Sequence, residues 1–536
     1  MNTRFRKIIS FLMTIIVLSS CGGGKKENNS ESSSASSSSS VVSTNSSTTN
    51  DNSANHSSSI INKLDEVSRI SPYTYKDEHV YLGKSYASFP TYNESSWNTS
   101  LKFTLSEDGT YYIVSDYLGA DRKLNTSTLI IPAYYKGLPV EEIAQAAEGI
   151  GAFSELTWLK TVYLPHTIKR IGYGTFSLSA LENLYIDCEE LEDFDGRNWV
   201  FYPPLDKSYS GMNVYFGPNV KRIPERLFYP NVTEPKFVPK INNIYFDKNC
   251  KLEFIGAHAF HDVTYFDSLC LPDTVKVIEE YAFYKASIKE LVLPASLTRI
   301  DNDAFSFSKI ENIKFNSELS YIGDRAFAYS ALTGMDLSST KIEVINDEAF
   351  AYVSSLRGIK FPANIKEIGE RAFLATGLIN LSIPDSVTLV RNEAFSNCTS
   401  LERLYLGTNL KTIKEKAFYN ASSLISLEVA SVKLDDFAFA NNIFTKAGLN
   451  KGFQVYFLDG VTYIPTNMFL STSNIDDLPN ITVLSIANSI IEIGTFAFEG
   501  QEISRVNYRG NQQQFANVNT NGNVFDNLDL GGIIYA

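Results

Sequence analysis

The sequence predicts a mainly β solenoid of about fifteen stacked turns, with parallel strands and little helix. A small residue followed by Phe recurs every 22 or 23 residues, and a strand-like motif lies between successive Phe positions. No stretch keeps a 3.6-residue apolar period for more than one or two helical turns. The composition agrees, because 44% of the 536 residues are hydrophobic and 13% are aromatic, which favours a folded chain rich in strands.

The Phe motif sets the length of the repeat. Eight copies are in step, with spacings of 23, 22, 22, 23, 23, 22 and 23 residues between successive Phe residues. The register extends outward less regularly, and Phe201 is a degenerate candidate that divides the 52-residue gap between Phe176 and Phe228. The regular copies are Phe260, Phe283, Phe305, Phe327, Phe350, Phe373, Phe395 and Phe418; the outer ones are Phe153, Phe176 and Phe228 before them and Phe439, Phe469 and Phe498 after them.

A second motif predicts one parallel strand per turn. It reads apolar-x-x-apolar-x-apolar and often ends in Pro, as at Pro362 and Pro384. The spacing of its last two apolar residues is the strand period, and Pro marks the strand end because it cannot donate to a ladder. A third apolar position, such as Ile322 or Ile368, precedes each Phe. Stacking the turns buries all three apolar rows, with strands about 4.8 Å apart in a curved rod about 70 Å long.

These motifs resemble those of the BspA-like leucine-rich-repeat family of bacterial surface proteins. The matching segments are Asp108–Tyr112, Leu129–Pro132, Gly137–Val140, Leu356–Pro362, Ile365–Gly369, Arg371–Phe373 and Val506–Gly510. The resemblance covers roughly residues 100–536 and implies a leucine-rich-repeat solenoid with a parallel concave sheet. It also implies attachment to matrix proteins or to other cells. The pattern is broken at 187–213 and 440–480, where we expect longer turns that bulge as loops.

The N-terminus is typical of a secretory signal peptide. Arg4, Arg6 and Lys7 precede an apolar run over 8–18 that is too short to span a bilayer. An aliphatic residue, two small residues and Cys21 follow, and together they resemble a bacterial lipobox. The resemblance implies cleavage before Cys21 and a lipid on its thiol, so the chain would be exported and anchored at the cell surface. An ordinary signal peptide with an incidental cysteine is the alternative.

The sequence therefore predicts six segments. They are a signal peptide over 1–20, a lipid-anchored disordered tether over 21–59, an unassigned Tyr-rich segment over 60–99, an N-terminal cap over 100–145, the solenoid over 146–505 and a C-terminal cap over 506–536. The tether is rich in Ser and Asn and has too little apolar surface to offset the entropy of ordering. As a coil it would span roughly 35 Å.

The sequence contains no complete motif for catalysis, for a cofactor or for a metal. His258 and His261 form an H-x-x-H pair that lacks a third ligand, and Asp193 begins a calcium-loop fragment that lacks the closing Glu. We expect no metal, no cofactor and no enzymatic activity, although a pair of glycosidase carboxylates among the many acidic residues stays open. The net charge of -13 argues against nucleic acid as a partner.

The remaining cysteines form no C-x-x-C pair, so the sequence contains no zinc or redox motif of that kind. They are Cys188, Cys250, Cys270 and Cys398. Their wide spacing favours buried small hydrophobic side chains. Whether any two form a disulfide cannot be read from the sequence.

One column of the predicted sheet changes character along the chain. The residue between the last two apolar positions of each strand motif faces away from the core. The column begins with Tyr163, Tyr185, Tyr215 and Tyr245, and continues with Cys270, Val292, Lys314, Asp336, Lys360, Ser382, Tyr405, Glu428, Tyr456, Ser485 and Asn507. Tyr suits strands in any case. The other interpretation is a binding surface, because exposed aromatic residues are favoured contact residues.

The sequence thus favours a surface-anchored, adhesin-like module that binds a protein or a glycan. Its partners would be a macromolecular ligand, such as a matrix protein, another cell surface or a glycan, and the membrane through the lipid anchor. A structural or self-associating scaffold of the cell envelope is the main alternative, and a carbohydrate-active enzyme is a minor one. The sequence does not identify the ligand.

Overall fold

The computed structural model describes residues 101–115, 127–145, 151–195, 199–206, 208–230, 237–263, 268–472, 477–521 and 532–535. The predicted signal peptide, the tether and the segment 60–99 lie outside the described residues.

The described residues form short strands and one short helix. The elements are β1 (Lys102–Leu105), β2 (Tyr112–Ser115), β3 (Thr128–Ile130), β4 (Tyr134–Tyr135), β5 (Leu138–Ile143), β6 (Thr161–Leu164), β7 (Arg170–Ile171), β8 (Asn183–Ile186), β9 (Met212–Phe216), β10 (Arg222–Ile223), β11 (Ile241–Phe246), β12 (Phe254–Ile255), β13 (Ser268–Cys270), β14 (Val277–Ile278), β15 (Glu290–Val292), β16 (Arg299–Ile300), β17 (Asn312–Lys314), β18 (Tyr321–Ile322), β19 (Met335–Asp336), β20 (Val344–Ile345), β21 (Ile359–Lys360), β22 (Glu367–Ile368), β23 (Asn380–Ile383), β24 (Leu389–Val390), β25 (Arg403–Leu406), β26 (Thr412–Ile413), β27 (Ser426–Val429), β28 (Phe453–Phe457), β29 (Tyr463–Ile464), β30 (Ile481–Ala487), β31 (Glu492–Ile493), β32 (Arg505–Arg509), α1 (Gln512–Phe515), β33 (Asn519–Thr520) and β34 (Ile533–Tyr535).

The predicted β solenoid is confirmed, and each regular turn contributes two short strands. The strand motif forms the first row, in which strands of successive turns pair in parallel, as in the order β11-β9-β8-β6-β3. The apolar position before each Phe forms a second row of two-residue strands, in the order β10-β12-β14-β16-β18. The sequence pattern showed that the positions of this second row are apolar, but it did not predict that they would pair as a sheet.

One Phe ring per turn forms a continuous buried column. Centroids of neighbouring rings are 5.1 to 5.9 Å apart, and no ring is more than 5% exposed. Phe201 occupies the place predicted for it, between Phe176 and Phe228. The column consists of Phe153, Phe176, Phe201, Phe228, Phe260, Phe283, Phe305, Phe327, Phe350, Phe373, Phe395, Phe418, Phe444, Phe469 and Phe498.

The prediction that Phe439 belongs to this column is wrong. Phe439 is 65% exposed, whereas Phe444 is buried and stacks 5.6 Å from Phe418 and 5.3 Å from Phe469. The physical reason is the greater length of this turn. At residue 439 the chain has not yet come back to the ring column, and it reaches the column only at Phe444. The segments expected to bulge as loops therefore also supply core rings, Phe201 in one and Phe444 in the other.

Backbone hydrogen bonds between turns explain the small residue before each Phe. In the turn of Phe327, the N–H groups of Phe327 and Tyr329 donate to the carbonyls of Ala349 and Ala351 in the next turn, each at 2.9 Å. This close approach leaves Ala326 fully buried. The residues two positions before and after Phe327 have positive φ, 53° and 57°, which is uncommon for residues other than glycine.

The described residues at the two ends differ from the regular turns. At the N-terminal end, β1 and β2 pair antiparallel, and β2 then pairs in parallel with β5. At the other end, the short helix α1 starts with a capping box between Asn511 and Gln514, and Phe515 contacts Tyr508. We propose that these segments cap the solenoid, because the last turns would otherwise expose apolar rows.

Candidate binding surface

The Tyr column lies where the strand register predicts, on the side of the first strand row away from the core. Tyr163, Tyr185, Tyr215 and Tyr245 occupy one continuous row of paired positions. Their rings stack with centroids 4.3, 4.3 and 4.9 Å apart and interplanar angles of 14°, 11° and 20°. Each side chain is half-buried, so the stack offers ring edges and hydroxyl groups to a ligand rather than full ring faces.

The two tyrosines in the middle of this stack have raised pKa values. Burial, followed by the neighbouring Tyr185 and Tyr245, raises the pKa of Tyr215 to about 12. Burial, followed by Tyr163, also raises the pKa of Tyr185. Both groups can therefore donate a hydrogen bond to a ligand as well as accept one.

A row of asparagines runs beside the tyrosines, two residues before the Tyr on three of the four strands. Asn183 pairs with Asn213, and Asn213 with Asn243, on the same side of the sheet. Asn243 Nδ2 donates to Asn213 Oδ1 at 2.9 Å. The sequence interpretation missed this row, although an Asn two residues before Tyr185, Tyr215 and Tyr245 was a signal for it. Aromatic rings beside amide groups give the surface both apolar contact area and hydrogen-bonding capacity.

Farther along the chain, the same outward column is more mixed. Lys360 forms an ion pair with Asp336 at 2.9 Å on neighbouring strands. The register then continues through Ser382, Tyr405, Glu428, Tyr456, Ser485 and Asn507. The continuous aromatic strip is therefore restricted to the N-terminal strands of this face.

A second stack of exposed aromatic rings lies on the turns that hold the Phe column. Phe307, Tyr329 and Tyr352 stack with centroids 4.3 and 4.5 Å apart, and each is more than 40% exposed. All three have positive φ and follow a core Phe by two residues. The sequence interpretation did not single them out, although the same offset in three consecutive turns was visible. Three contiguous exposed rings of this kind are typical of a contact surface.

The structure places the two histidines of the H-x-x-H pair against each other. The Nδ1 atoms of His258 and His261 are 2.9 Å apart, and the ring of His258 stacks on Tyr281. Burial, followed by the charges of His261 and Arg226, lowers the pKa of His258 to about 4. Within the described ranges, no cluster of three or more His, Cys, Asp or Glu residues could hold a metal ion.

A cavity of about 570 Å³ lies near the N-terminal end and is lined by several carboxylates. Arg170 binds Glu142 at 2.7 Å and Glu192 at 3.4 Å. Asp193, which begins the calcium-loop fragment, forms an ion pair with Arg222 and accepts a hydrogen bond from the backbone N–H of Glu225. These three carboxylates therefore hold successive turns together.

Three of the four cysteines in the described residues are buried. Cys188, Cys250 and Cys398 are each at most 5% exposed, as expected for small hydrophobic residues. Burial raises the pKa of the Cys250 thiol to about 12 and that of Cys398 to about 11, which leaves both protonated. The expectation of burial is wrong for Cys270, which is half-buried because it lies in the outward column of the sheet. No helix in the described part of the chain is long and apolar enough to cross a membrane.

Comparison with solved structures gives several leucine-rich-repeat proteins of bacteria. One from Bacteroides ovatus is 20% identical with a TM-score of 0.42, covering 82% of this chain and 99% of its own. One from Eubacterium ventriosum is 17% identical with a TM-score of 0.35, covering 76% and 94%. The pneumococcal vaccine antigen PcpA is 17% identical with a TM-score of 0.37, covering 67% and 93%. Among curated proteins, none matches the chain significantly.

The family model for the BspA type leucine rich repeat region, which describes six copies of the repeat, matches this chain over four overlapping ranges. The matched residues are 149–249, 236–342, 332–446 and 441–527, which together cover most of the chain. The match spans the turns that carry the Phe column and both strand rows. Proteins with such repeats are typically binding modules without enzymatic activity. The chain belongs to the BspA-type leucine-rich-repeat family.

Proposed function

We propose that this protein is a surface-anchored lipoprotein whose solenoid binds a protein or a glycan, as an adhesin does. The continuous strip of Tyr163, Tyr185, Tyr215 and Tyr245 is the observation that carries the proposal. Core rows require apolar residues in every turn, but this outward column does not. Four stacked tyrosines there, with asparagines beside them, supply contact area and hydrogen-bonding groups on one rigid sheet.

Anchoring would place this surface outside the cell. The proposed lipid on Cys21 and the tether over 21–59 would hold the solenoid at the membrane while leaving it free to reach a ligand. Cys21 itself lies outside the described residues. The support for the anchor is therefore the order of charged, apolar and small residues at the N-terminus.

Self-association is a second candidate, and the stack of Phe307, Tyr329 and Tyr352 favours it. These rings are exposed in contiguous turns on a different part of the solenoid from the Tyr strip. Exposed apolar patches of this kind mark contact sites between proteins. A scaffold that assembles through these rings would leave the Tyr strip available, so the two functions are compatible.

Arrays of matrix proteins and of glycans test the proposed function directly. The purified chain is expected to bind at least one component of the arrays in a saturable manner, and light scattering should give a mass that does not change with concentration. Absence of binding across both arrays, together with a mass that grows with concentration, would favour the scaffold over the adhesin.

A further inference from the structure

A buried carboxylate lies in the outward column, away from the Tyr strip. Glu428 is on β27, in register with Tyr405 on β25 and Tyr456 on β28. Its position faces away from the core, yet the residue is only 6% exposed. None of the described residues donates a hydrogen bond to its Oε2 atom. A buried carboxylate oxygen without a partner is costly, so it points to a ligand that supplies the missing donor.

The two tyrosines flank this carboxylate closely enough for its charge to affect them. Burial, followed by the carboxylates of Asp385 and Glu428, raises the pKa of Tyr405. Burial, followed by Glu428, raises the pKa of Tyr456, and Arg505 opposes that change. The hydroxyl group of Tyr456 donates to Gln454 Oε1. Glu428 thus lies between two aromatic side chains, each of which has a hydrogen-bond partner other than Glu428.

Arg403, whose charge acts on Glu428, does not donate a hydrogen bond to its Oε2 atom. The Arg403 guanidinium donates through Nη1 to Asn380 Oδ1 at 3.4 Å. Burial raises the pKa of Glu428, and the charge of Arg403 only partly opposes that change. A positive charge supplied by a ligand would oppose the effect of burial further and favour the ionised carboxylate.

We propose that Glu428, Tyr405 and Tyr456 form a binding site for a lysine side chain of a protein partner. Strands about 4.8 Å apart place the two tyrosines roughly 10 Å from each other, one on either side of Glu428. Rotation of the Tyr405 and Tyr456 side chains opens the buried Oε2 to an ammonium group, which then donates a hydrogen bond to Oε2 and contacts the aromatic rings. The net charge of -13 attracts basic partners over longer distances.

A labelled, capped tetralysine peptide is the probe for this site. We expect the full-length chain to bind it, and the fully acetylated peptide not to bind. Glu428→Gln should weaken binding at least tenfold. Glu290→Gln removes the same charge from an exposed position on the same sheet face, on β15, and should leave the affinity unchanged within about twofold. Equal losses in the two variants would overturn the proposal, because the peptide would then sense only the overall charge.

Stability measurements separate loss of the site from loss of the fold. Glu428→Gln removes an unpaired buried carboxylate, so its Tm at pH 7 should be at least that of the unchanged chain. A lower Tm would mean that Glu428 stabilises the fold, and would overturn the proposal. A second variant, Tyr405→Leu with Tyr456→Leu, should also weaken tetralysine binding at least tenfold. Binding of a glucosamine tetramer without binding of tetralysine would overturn the assignment to a protein side chain.

Discussion

Replacing Phe327 with alanine is expected to lower the free energy of unfolding by about 3–5 kcal/mol. Phe327 is fully buried in the middle of the ring column, 5.3 Å from Phe305 and 5.6 Å from Phe350, and Phe315 packs against its edge. The cavity cannot close, because hydrogen bonds between turns hold the backbone on both sides. Denaturant titration of the purified chain measures the loss.

Phe439→Ala is the matched control for this prediction. It removes the same ring from a residue that is 65% exposed, so we expect a loss below about 1 kcal/mol. A loss of less than about 1 kcal/mol for Phe327→Ala would mean that the ring is not part of the core. Comparable losses of unfolding free energy in both variants would mean that burial in the ring column does not determine the cost of removing the ring.

Replacing Cys21 with serine is expected to abolish membrane anchoring completely. Serine has no thiol to accept the diacylglycerol, and each buried CH₂ of an acyl chain contributes about 0.8 kcal/mol to membrane binding. Labelling with a fatty-acid analogue and fractionation of the cells measure the effect. The unchanged chain should be labelled and sediment with membranes, whereas the variant should be unlabelled and soluble. Retained labelling of the variant would contradict lipidation at Cys21.

Regular spacing explains how much of the fold could be predicted from the sequence. Eight Phe residues 22 or 23 apart fixed the repeat, and the alternation within each strand motif fixed which residues face outward. The pairing of Tyr163 with Tyr185 follows directly from that alternation. Phe201 could be placed for the same reason, although its turn is irregular, because only one ring per turn fits the column.

The irregular turns and the surface contacts could not be predicted with the same rules. Ala438 precedes Phe439 and so repeats the Phe motif, but the chain needs 26 residues from Phe418 to reach the next place in the column, at Phe444. Only three-dimensional packing distinguishes the two candidates. The burial of Glu428 is a similar case, because the strand pattern assigns an outward position but not how closely its neighbours cover it.

The most direct test of the account compares two aromatic surfaces of the same protein. Affinity for the strongest binder from the arrays is measured for a variant with Tyr163, Tyr185, Tyr215 and Tyr245 changed to serine. The control variant changes Phe307, Tyr329 and Tyr352 to serine, and circular dichroism checks that both variants are folded. We expect the Tyr variant to lose at least tenfold in affinity, about 1.4 kcal/mol, and the control to stay within about twofold. Unchanged affinity in the folded Tyr variant would contradict the assignment of binding to this sheet face.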